Sequence, residues 1–392
     1  MPFNSSAARC GHFVVNKIEC LTMKDGRPAD RIFLLLCFIL FVFGLVMLSS
    51  ASAPVGYSKF GDAYYFIKRQ VLFGVLPGFF LFLIFARVNV SLIKRLSPIF
   101  FILAVIALIL VFVPGAGLAI NGSRSWLSLF GYTFQSSEFA KLAIIIMLSK
   151  LLSDSDNLHE WKTGLLPILA IISPVIILIA AQPDVGTLSI LFVIVFAMLY
   201  IGGAKKIHLA ILGLLAIIGL AGLMFLAPYR VQRLTTFLHP ELDPKGIGYQ
   251  INQAYLAVGS GGLWGLGLSH SRQKFQYLPE VQADSIFAVV AEELGFVITA
   301  IVVLLIVFIG LRGFKIANGV QDRFSYLLVS GTMVWFVWQS FLNIASIIGL
   351  LPLTGVPLPF VSHGGSALLV LFMAIGIVAN VSKASNYVGS CK

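Results

Sequence analysis

The sequence predicts an all-α polytopic membrane protein of about ten transmembrane helices, with both termini cytoplasmic and a large extracytoplasmic loop between helices 7 and 8. Hydrophobic residues make up 59% of the 392 residues and charged residues only 11%, and the mean hydropathy is +0.98. Soluble domains carry about 25% charged residues, so that class is excluded. The net charge of +11 does not indicate nucleic acid, because Lys and Arg are spread over short segments instead of lying on one stripe.

Apolar runs of membrane-spanning length recur along the chain. A helix that crosses the hydrocarbon core needs about 20 apolar residues. On that criterion the predicted helices are 32–51, 67–86, 97–113, 137–152, 165–182, 184–202, 207–227, 285–311, 326–348 and 366–382. Residues 1–31 are predicted to form a cytoplasmic tail, residues 32–382 the transmembrane domain, and residues 383–392 a second cytoplasmic tail.

The basic residues of the short loops set the predicted orientation. Lys and Arg favour the cytoplasmic side, and in a ten-helix chain most basic loops fall on one side. Loop 349–365, on the other side, contains no Lys, Arg, Asp or Glu. Segment 228–284 then lies outside the cell. Most connections are only a few residues long, so a segment of this length is predicted to be functional.

Polar residues surround the start of the fourth predicted helix. Arg124 lies in the segment NGSRSW, and the helix opens QSSEFAK with Glu138 and Lys141. Residues three positions apart share a helix face, so Glu138 and Lys141 are predicted to pair. Intramembrane charges usually pair whatever their role. Helix packing and substrate contact therefore both stay open for this pair.

Two further outer segments carry candidate site residues. Asp184, in QPDVGT, starts a predicted helix, where capping alone accounts for an aspartate, and a contact at the rim of a substrate site stays open. Arg230, Arg233 and Lys274 lie in the long loop, where a bidentate guanidinium is a natural phosphate ligand. Snorkelling and loop packing account equally well for any single arginine.

Asp284 is the central candidate, at the point where the long polar loop enters the eighth predicted helix near Ser285. At about 100° per residue, Ala288, Ala291 and Gly295 fall within about 40° of Asp284. These small residues are expected to leave room around the carboxylate. An N-terminal helix cap explains an isolated aspartate equally well, and the residues alone do not decide between capping and catalysis.

The loop PLTGVPLPFVSHGGS, residues 352–366, contains three prolines and no formal charge. Its backbone cannot be left unsatisfied in lipid, so the loop is expected inside protein or at the surface. His363 is a candidate to titrate or to donate to a substrate, although a structural histidine is the commoner case. Glu292 and Glu293 are rotated by about 80° and about 180° from Asp284, so they need not share its cavity.

Five motifs in order resemble the SEDS family (shape, elongation, division and sporulation), the polytopic peptidoglycan glycosyltransferases that include FtsW and RodA. The resemblance covers residues 31–383, and QKFQYLPE is more similar to the division and sporulation branch than to the rod-elongation branch. QADS at 282–285 and SHGGSA at 362–367 depart from the usual pattern, whereas Asp284 and Glu280 are kept. The motifs are NGSRSWLSLFGYTFQSSEFAKLA, QPDVGT, the run from YRVQR to GSGGLWGLGL, SRQKFQYLPEVQADSIFAVVAEELG and LPLTGVPLPFVSHGGS.

The resemblance implies polymerisation of lipid II, a disaccharide-pentapeptide on undecaprenyl pyrophosphate, on the outer face of the bacterial cytoplasmic membrane at the division septum. Asp284 is then expected to act as the general base on a sugar 4-hydroxyl. Arg230, Arg233, Lys274 or a divalent cation such as Mg or Mn is expected to stabilise the pyrophosphate leaving group. The other residues expected to contact substrate or to shape its cavity are Glu280, Arg124, Glu138, Lys141, Asp184 and His363.

The resemblance also implies protein partners, namely a class B penicillin-binding protein, which is a single-span transpeptidase, and other division proteins. A lipid II flippase and an elongation polymerase like RodA stay open as alternatives. A flippase needs polar groups in both halves of the membrane, whereas the polar motifs here concentrate on the predicted outer side. That distribution favours chemistry at the outer surface.

Overall fold

The chain forms a bundle of long helices, which a computed structural model describes over residues 28–120, 123–129, 132–155, 157–225, 235–243, 246–275 and 277–388. Helices α2 and α5 each include one π-helical turn, at Val71–Val75 and Trp161–Leu165. The helices are α1 (Arg31–Phe60), α2 (Tyr65–Phe85), α3 (Val90–Leu110), α4 (Ser136–Asp154), α5 (Trp161–Ala181), α6 (Val185–Ile201), α7 (Lys206–Phe225), α8 (Ile247–Ser260), α9 (Ile286–Asn318), α10 (Arg323–Ile347) and α11 (Gly365–Val388).

Seven helices in the described part of the chain are long and apolar enough to cross a membrane, namely α1, α2, α3, α5, α9, α10 and the Gly365–Ser385 part of α11. Helix α6 and the Lys206–Gly219 part of α7 are shorter apolar helices. Helix α4 is buried over most of its length and contacts α3, α6, α10 and α11. The chain is therefore a polytopic α-helical membrane protein. Each predicted span overlaps one of these ten helices, and the count of ten crossings stays a prediction.

The prediction of an all-α chain is wrong between α3 and α4, where three short strands form an antiparallel sheet. Strand β1 (Gly117–Ile120) pairs with β2 (Ser123–Leu129), and β2 pairs with β3 (Tyr132–Gln135). Strands this short are overlooked by a search for runs of about 20 apolar residues. The overlooked signal is the dipeptide Asn121-Gly122 between β1 and β2, a preferred hairpin connection.

Helices α10 and α11 join two apolar cores. One core contains buried side chains of α3 to α6, and the other contains buried side chains of α1, α8 and α9. Both cores include residues of α10 and α11, so these two helices are apolar on several faces. Helix α8 was not predicted within the long loop. It is short, but it buries Ile251, Ala254 and Ala257 and packs against α9.

An ion pair fixes the end of the bundle at which α1 begins. Asp30 caps α1 by accepting a hydrogen bond from the Phe33 N–H (2.9 Å). Its carboxylate also accepts from Arg312 Nη2 (2.7 Å), on α9. The Asp30 N–H donates to Ser382 Oγ (2.9 Å), on α11. These contacts join the ends of three helices on the side opposite to the long loop.

Helix α9 is broken at Gly295, where φ is +73° and ψ is −179°. The break takes the main-chain carbonyls of Glu292 and Glu293 out of the helical pattern. The glycine-rich loop, residues 261–267, supplies their partners. The Leu266 N–H donates to the Glu292 carbonyl (3.0 Å), and the Gly267 N–H donates to the Glu293 carbonyl (2.9 Å).

The same loop also satisfies the groups that follow the break. The Phe296 N–H donates to the Gly262 carbonyl (2.9 Å), and the Val297 N–H donates to the Leu263 carbonyl (3.2 Å). An unsatisfied backbone group in the hydrocarbon region costs several kcal/mol. The four bonds together therefore make a broken helix compatible with the membrane, and they fix the glycine-rich loop against α9.

The glycine-rich loop and α9 approach each other backbone to backbone. Ala288 is fully buried in the apolar core. A Cβ added at Gly261 would lie 2.0 Å from the Ala291 carbonyl oxygen, and one added at Gly295 would lie 2.3 Å from a main-chain nitrogen of the glycine-rich loop. Gly261 and Gly295 therefore permit this close approach, and the room expected around the Asp284 carboxylate stays a prediction.

We expect Gly295→Ala to lower the free energy of unfolding by about 2 kcal/mol or more, because it combines a left-handed backbone with a steric clash. The thermal unfolding midpoint of the purified protein measures the change. Gly219→Ala on α7 is the matched control, because a Cβ there meets no atom within 4 Å. Equal midpoints for the two variants would contradict the close packing at the break.

Candidate active site

Asp284 is half-buried at the end of the loop that precedes α9. It does not cap the helix, because the N-cap is Ser285, which makes no side-chain capping bond. The main-chain carbonyl of Asp284 accepts a hydrogen bond from Asn343 Nδ2 (2.8 Å). The same Nδ2 donates to the Val356 carbonyl (2.8 Å). One amide of α10 therefore holds together the loop before α9 and the loop before α11.

The loop before α11 lies against the Asp284 segment. Gly355 has φ +69°, and a Cβ there would lie 3.9 Å from Asp284 Oδ2, so backbone approaches the carboxylate. The His363 N–H donates to the Gln282 carbonyl (2.7 Å). Phe360 of this loop is buried in the core. Residues 356 and 358–362 are buried, so this part of the loop lies inside protein, one of the two placements expected for residues 352–366.

Glu280 shapes the turn that leads to Asp284. Its φ is +50°, a region that costs a non-glycine residue on the order of 1–3 kcal/mol and that is common at functional sites. The Glu280 carbonyl accepts from the N–H groups of Ala283 (2.9 Å) and Ser285 (3.3 Å). The Glu280 side chain is exposed and accepts from Gln282 Nε2 (3.1 Å). Its backbone therefore directs the chain at Asp284, and its carboxylate faces outward.

Lys274 is neutralised within the protein. Its Nζ donates to Glu293 Oε1 (2.7 Å) and to Ser50 Oγ (3.1 Å), and the side chain is only 3% exposed. Breaking a buried pair by removing one partner costs about 3–5 kcal/mol. The expected contact between Lys274 and a pyrophosphate would require breaking this pair. The observed role of Lys274 is to attach the long loop to α1 and α9.

Glu292 binds the backbone of the same loop. Its carboxylate accepts from the Arg272 N–H (2.9 Å) and from Ser271 Oγ (2.5 Å). The partners of the Glu292 and Glu293 carboxylates in the described chain are Ser50 and residues 271–274.

The predicted pair of Glu138 and Lys141 is confirmed. Lys141 Nζ donates to Glu138 Oε1 (2.7 Å) and to Gln339 Oε1 (2.6 Å), and both charged side chains are fully buried. The ammonium also lies 5.3 Å from the centre of the Trp335 ring. Glu138 Oε2 has no hydrogen-bond partner among the described residues. Glu138 lines a small pocket together with Gln339 and residues of the segment 357–364.

Two amides of α10 were missed at the sequence level. Gln339 Nε2 donates to the Pro357 carbonyl (3.0 Å), while Gln339 Oε1 accepts from Lys141. Asn343, one turn further along α10, holds Asp284. Residues four apart lie on the same helix face, and amides on one face of an apolar helix commonly bond to neighbouring elements. That spacing of four residues was the available sequence signal. Together the two amides connect the buried pair of Glu138 and Lys141 to Asp284.

The remaining predicted site residues lie at the rim or outside the described chain. Asp184 caps α6, as predicted, by accepting from the Thr187 N–H (2.9 Å), and it also accepts from Ser137 Oγ (3.4 Å). Arg124 is exposed on β2. Arg230 and Arg233 fall outside the described residues.

Within the part of the chain that the structure covers, no three His, Cys, Asp or Glu side chains form a metal-ligand set, and the divalent cation stays a prediction.

His363 is held neutral at the edge of the site. Its ring packs edge-on against Phe66 with 5.3 Å between ring centres. Burial, and then the positive charge of Arg69, lower the pKa of His363 to about 4. The imidazole is therefore uncharged near neutral pH and is suited to hydrogen bonding instead of charge pairing.

These elements define a class of protein, a polytopic helical membrane protein with a half-buried carboxylate at one end of the bundle, held against the loop before α11. The chain belongs to the family of cell cycle proteins formed by FtsW, RodA and SpoVE, whose model matches residues 30–387. The family expected from the five motifs is thereby confirmed.

Individual relatives match over nearly their whole length. The chain is 40% identical to stage V sporulation protein E of Bacillus subtilis (strain 168), over 94% of this chain and 100% of the relative. It is 36% identical to the probable peptidoglycan glycosyltransferase FtsW of Geobacter sp. (strain M18), over 92% and 98% of the two chains.

Solved structures share the fold. A chain from a peptidoglycan synthase complex, described in terms of polymerization and crosslinking, has a TM-score of 0.75 at 26% identity and covers 91% of this chain and 98% of its own. The rod shape determining protein RodA of Thermus thermophilus has a TM-score of 0.67 at 24% identity, with coverage of 90% and 96%. The similarity to RodA indicates the fold alone.

We expect Asn343→Leu to lower the free energy of unfolding by about 2–4 kcal/mol, because the carbonyls of Asp284 and Val356 both lose their donor while they stay packed. The thermal unfolding midpoint measures this loss. Asn252→Leu, at an exposed position of α8, is the control and is expected to change stability by less than about 0.5 kcal/mol. An Asn343→Leu protein as stable as the control variant would contradict the role of Asn343 in holding the two loops together.

A second expectation concerns pH. The folded protein keeps His363 neutral down to a pKa of about 4, whereas the unfolded chain protonates near 6.5. Protons therefore favour the unfolded state as pH falls from 6.5 towards 4, and stability decreases in that window. His363→Gln should flatten this part of the unfolding-midpoint curve. His239→Gln, at an exposed histidine, should leave the curve unchanged, and parallel curves for all three proteins would refute the assignment.

Proposed function

We propose that the protein is a peptidoglycan glycosyltransferase that polymerises lipid II into glycan strands on the outer face of the bacterial cytoplasmic membrane during cell division. The observation that carries the proposal is the placement of Asp284, a half-buried carboxylate whose backbone Asn343 of α10 fixes against the loop before α11. Family membership supports it, and so does the activity given in the name of the FtsW relative. The identities of 40% with stage V sporulation protein E and 36% with FtsW support the division and sporulation branch over a role like that of RodA.

The proposed topology has ten crossings, cytoplasmic termini and an extracytoplasmic segment 228–284. It is supported by contacts among segments that this topology assigns to the outer side. The basic loops and the ion pair of Asp30 lie towards the opposite end. The supporting contacts are those of Gln282 with His363, His363 with Phe66, Gln135 with Ser366, and Ser137 with Asp184.

The proposed chemistry is a displacement at a sugar carbon. The 4-hydroxyl oxygen of one lipid-linked chain forms a bond to C1 of the other, and the bond from C1 to the pyrophosphate oxygen breaks. The pyrophosphate leaves with the electron pair, and the hydroxyl proton passes to the Asp284 carboxylate. A positioned base contributes about 10²- to 10⁴-fold to such a step. Gly355, without a side chain beside Oδ2, leaves the carboxylate accessible to a bulky hydroxyl compound.

The proposed partner is a class B penicillin-binding protein, as the polymerization and crosslinking complex among the structural neighbours suggests. Flipping of lipid II is the alternative function. The buried pair of Glu138 and Lys141 is the feature that favours it, because charges within a spanning bundle commonly mark a substrate path. The fixed contacts of that pair with Gln339, together with the outer position of Asp284, support polymerisation instead.

Asp284→Asn tests the function directly. Purified full-length protein with its penicillin-binding partner is incubated with lipid II, and glycan polymer is separated by gel. We expect polymer formation to fall by about 10²-fold or more, because the amide cannot accept the proton. Glu241→Gln, on the same loop but exposed, should keep wild-type activity.

The outcomes separate the hypotheses. Full polymerisation by Asp284→Asn would eliminate this residue as the base. A wild-type complex that forms no polymer but moves lipid II across vesicle membranes would establish the flippase instead.

A further inference from the structure

Two adjacent basic residues of α2 have different environments. Lys68 is exposed, with 67% of its side chain accessible, and it pairs with Asp62 (2.7 Å). Arg69 is half-buried, and within the described chain no ion pair joins it to a carboxylate. An arginine that merely reached for the headgroup region would be expected to resemble Lys68. The burial of Arg69 calls for another explanation.

Aromatic side chains hold the Arg69 guanidinium in place. Its Nη1 donates to the Tyr65 hydroxyl (2.9 Å), and its Cζ lies 5.5 Å from the centre of the Tyr65 ring and 5.8 Å from that of Phe73. A guanidinium has five N–H donors, so this contact leaves donors for a ligand. A cation fixed in advance loses less conformational entropy when it binds an anion.

Contacts connect Arg69 to the candidate active site. Its charge acts on His363, whose ring packs against Phe66 of the same helix. The His363 N–H bonds to Gln282, two residues before Asp284. Because the imidazole is neutral near pH 7, it does not repel Arg69, and its buried Nδ1 has no hydrogen-bond partner among the described residues.

We propose that Arg69 binds the pyrophosphate diester of the polyprenyl-linked substrate, on the helix whose Phe66 packs against His363. The proposal rests on the proposed function and names a cation for its leaving group. Lys274, one of the expected cations, already has a carboxylate partner at 2.7 Å. In the proposed topology, Arg69 lies near the outer end of α2, on the side of the membrane where polymerisation is proposed. A guanidinium binds two phosphoryl oxygens at once, which an ammonium cannot do with the same geometry.

The test measures binding without turnover. The full chain in lipid nanodiscs is titrated with undecaprenyl pyrophosphate, undecaprenyl monophosphate and phosphatidylglycerol, and the Kd of each is compared among variants. Arg69→Gln should weaken pyrophosphate binding by about tenfold or more. Arg69→Lys should give an intermediate loss, because it keeps the charge but not the bidentate geometry. Lys68→Gln, the neighbouring control, should stay within about twofold of wild type.

Each other result contradicts the proposal. Pyrophosphate binding within about twofold of wild type in Arg69→Gln would overturn it. An equal loss of affinity for phosphatidylglycerol would show that Arg69 contacts lipid headgroups in general. An equal loss of pyrophosphate affinity in Lys68→Gln would show that binding depends on the total surface charge and not on Arg69 in particular. If Arg69→Gln does not fold, as judged by gel filtration and unfolding midpoint, Arg69→Lys alone decides.

Asp284→Asn separates this proposal from the function on which it rests. It should bind undecaprenyl pyrophosphate like wild type while it fails to polymerise. If Asp284→Asn polymerises normally but Arg69→Gln still loses pyrophosphate binding, the assignment of the base fails and the anion site stands.

Discussion

The arrangement of the end of the molecule that carries Asp284 depends on the break in α9 and on the four main-chain hydrogen bonds that compensate it. A helix can be broken within a membrane only where other protein groups replace its lost bonds. The glycine-rich loop provides them, and its glycines are required because backbone contacts backbone at this point. Once this loop is fixed, the chain that follows is attached through Lys274 to α1 and α9, and it reaches Asp284 from a set direction.

Helix α10 provides the second constraint. Its two amides, Gln339 and Asn343, bond on one side to the buried pair in α4 and on the other to the loops that carry Asp284 and His363. Burial of polar groups in an apolar bundle is costly unless each has a partner. The two amides therefore make the positions of three separate segments depend on one another, namely α4, the loop that carries Asp284 and the loop that carries His363.

Local patterns predicted local features. Hydrophobic length located the long apolar helices, the spacing of Glu138 and Lys141 predicted their pair, and the position of Asp184 at the start of a predicted helix indicated its cap. Features that depend on partners distant in sequence were not predictable in this way. Lys274 bonds to Ser50, 224 residues away, and no periodicity shows such a contact. The break at Gly295 was invisible because an apolar run with one glycine reads as a continuous helix.

The network around Lys274 also bears on how the protein enters the membrane during synthesis. A charged side chain costs about 2.5–3.5 kcal/mol at the centre of an inserting helix, and α9 carries Glu292 and Glu293 near its break. Ser50 and residues 271–274, which supply the hydrogen-bond partners of these carboxylates in the described chain, all precede α9, so the ribosome has made them before α9 emerges. The order of translation therefore provides the compensating groups first, and α9 can be accepted into the bilayer without waiting for the helices that follow it.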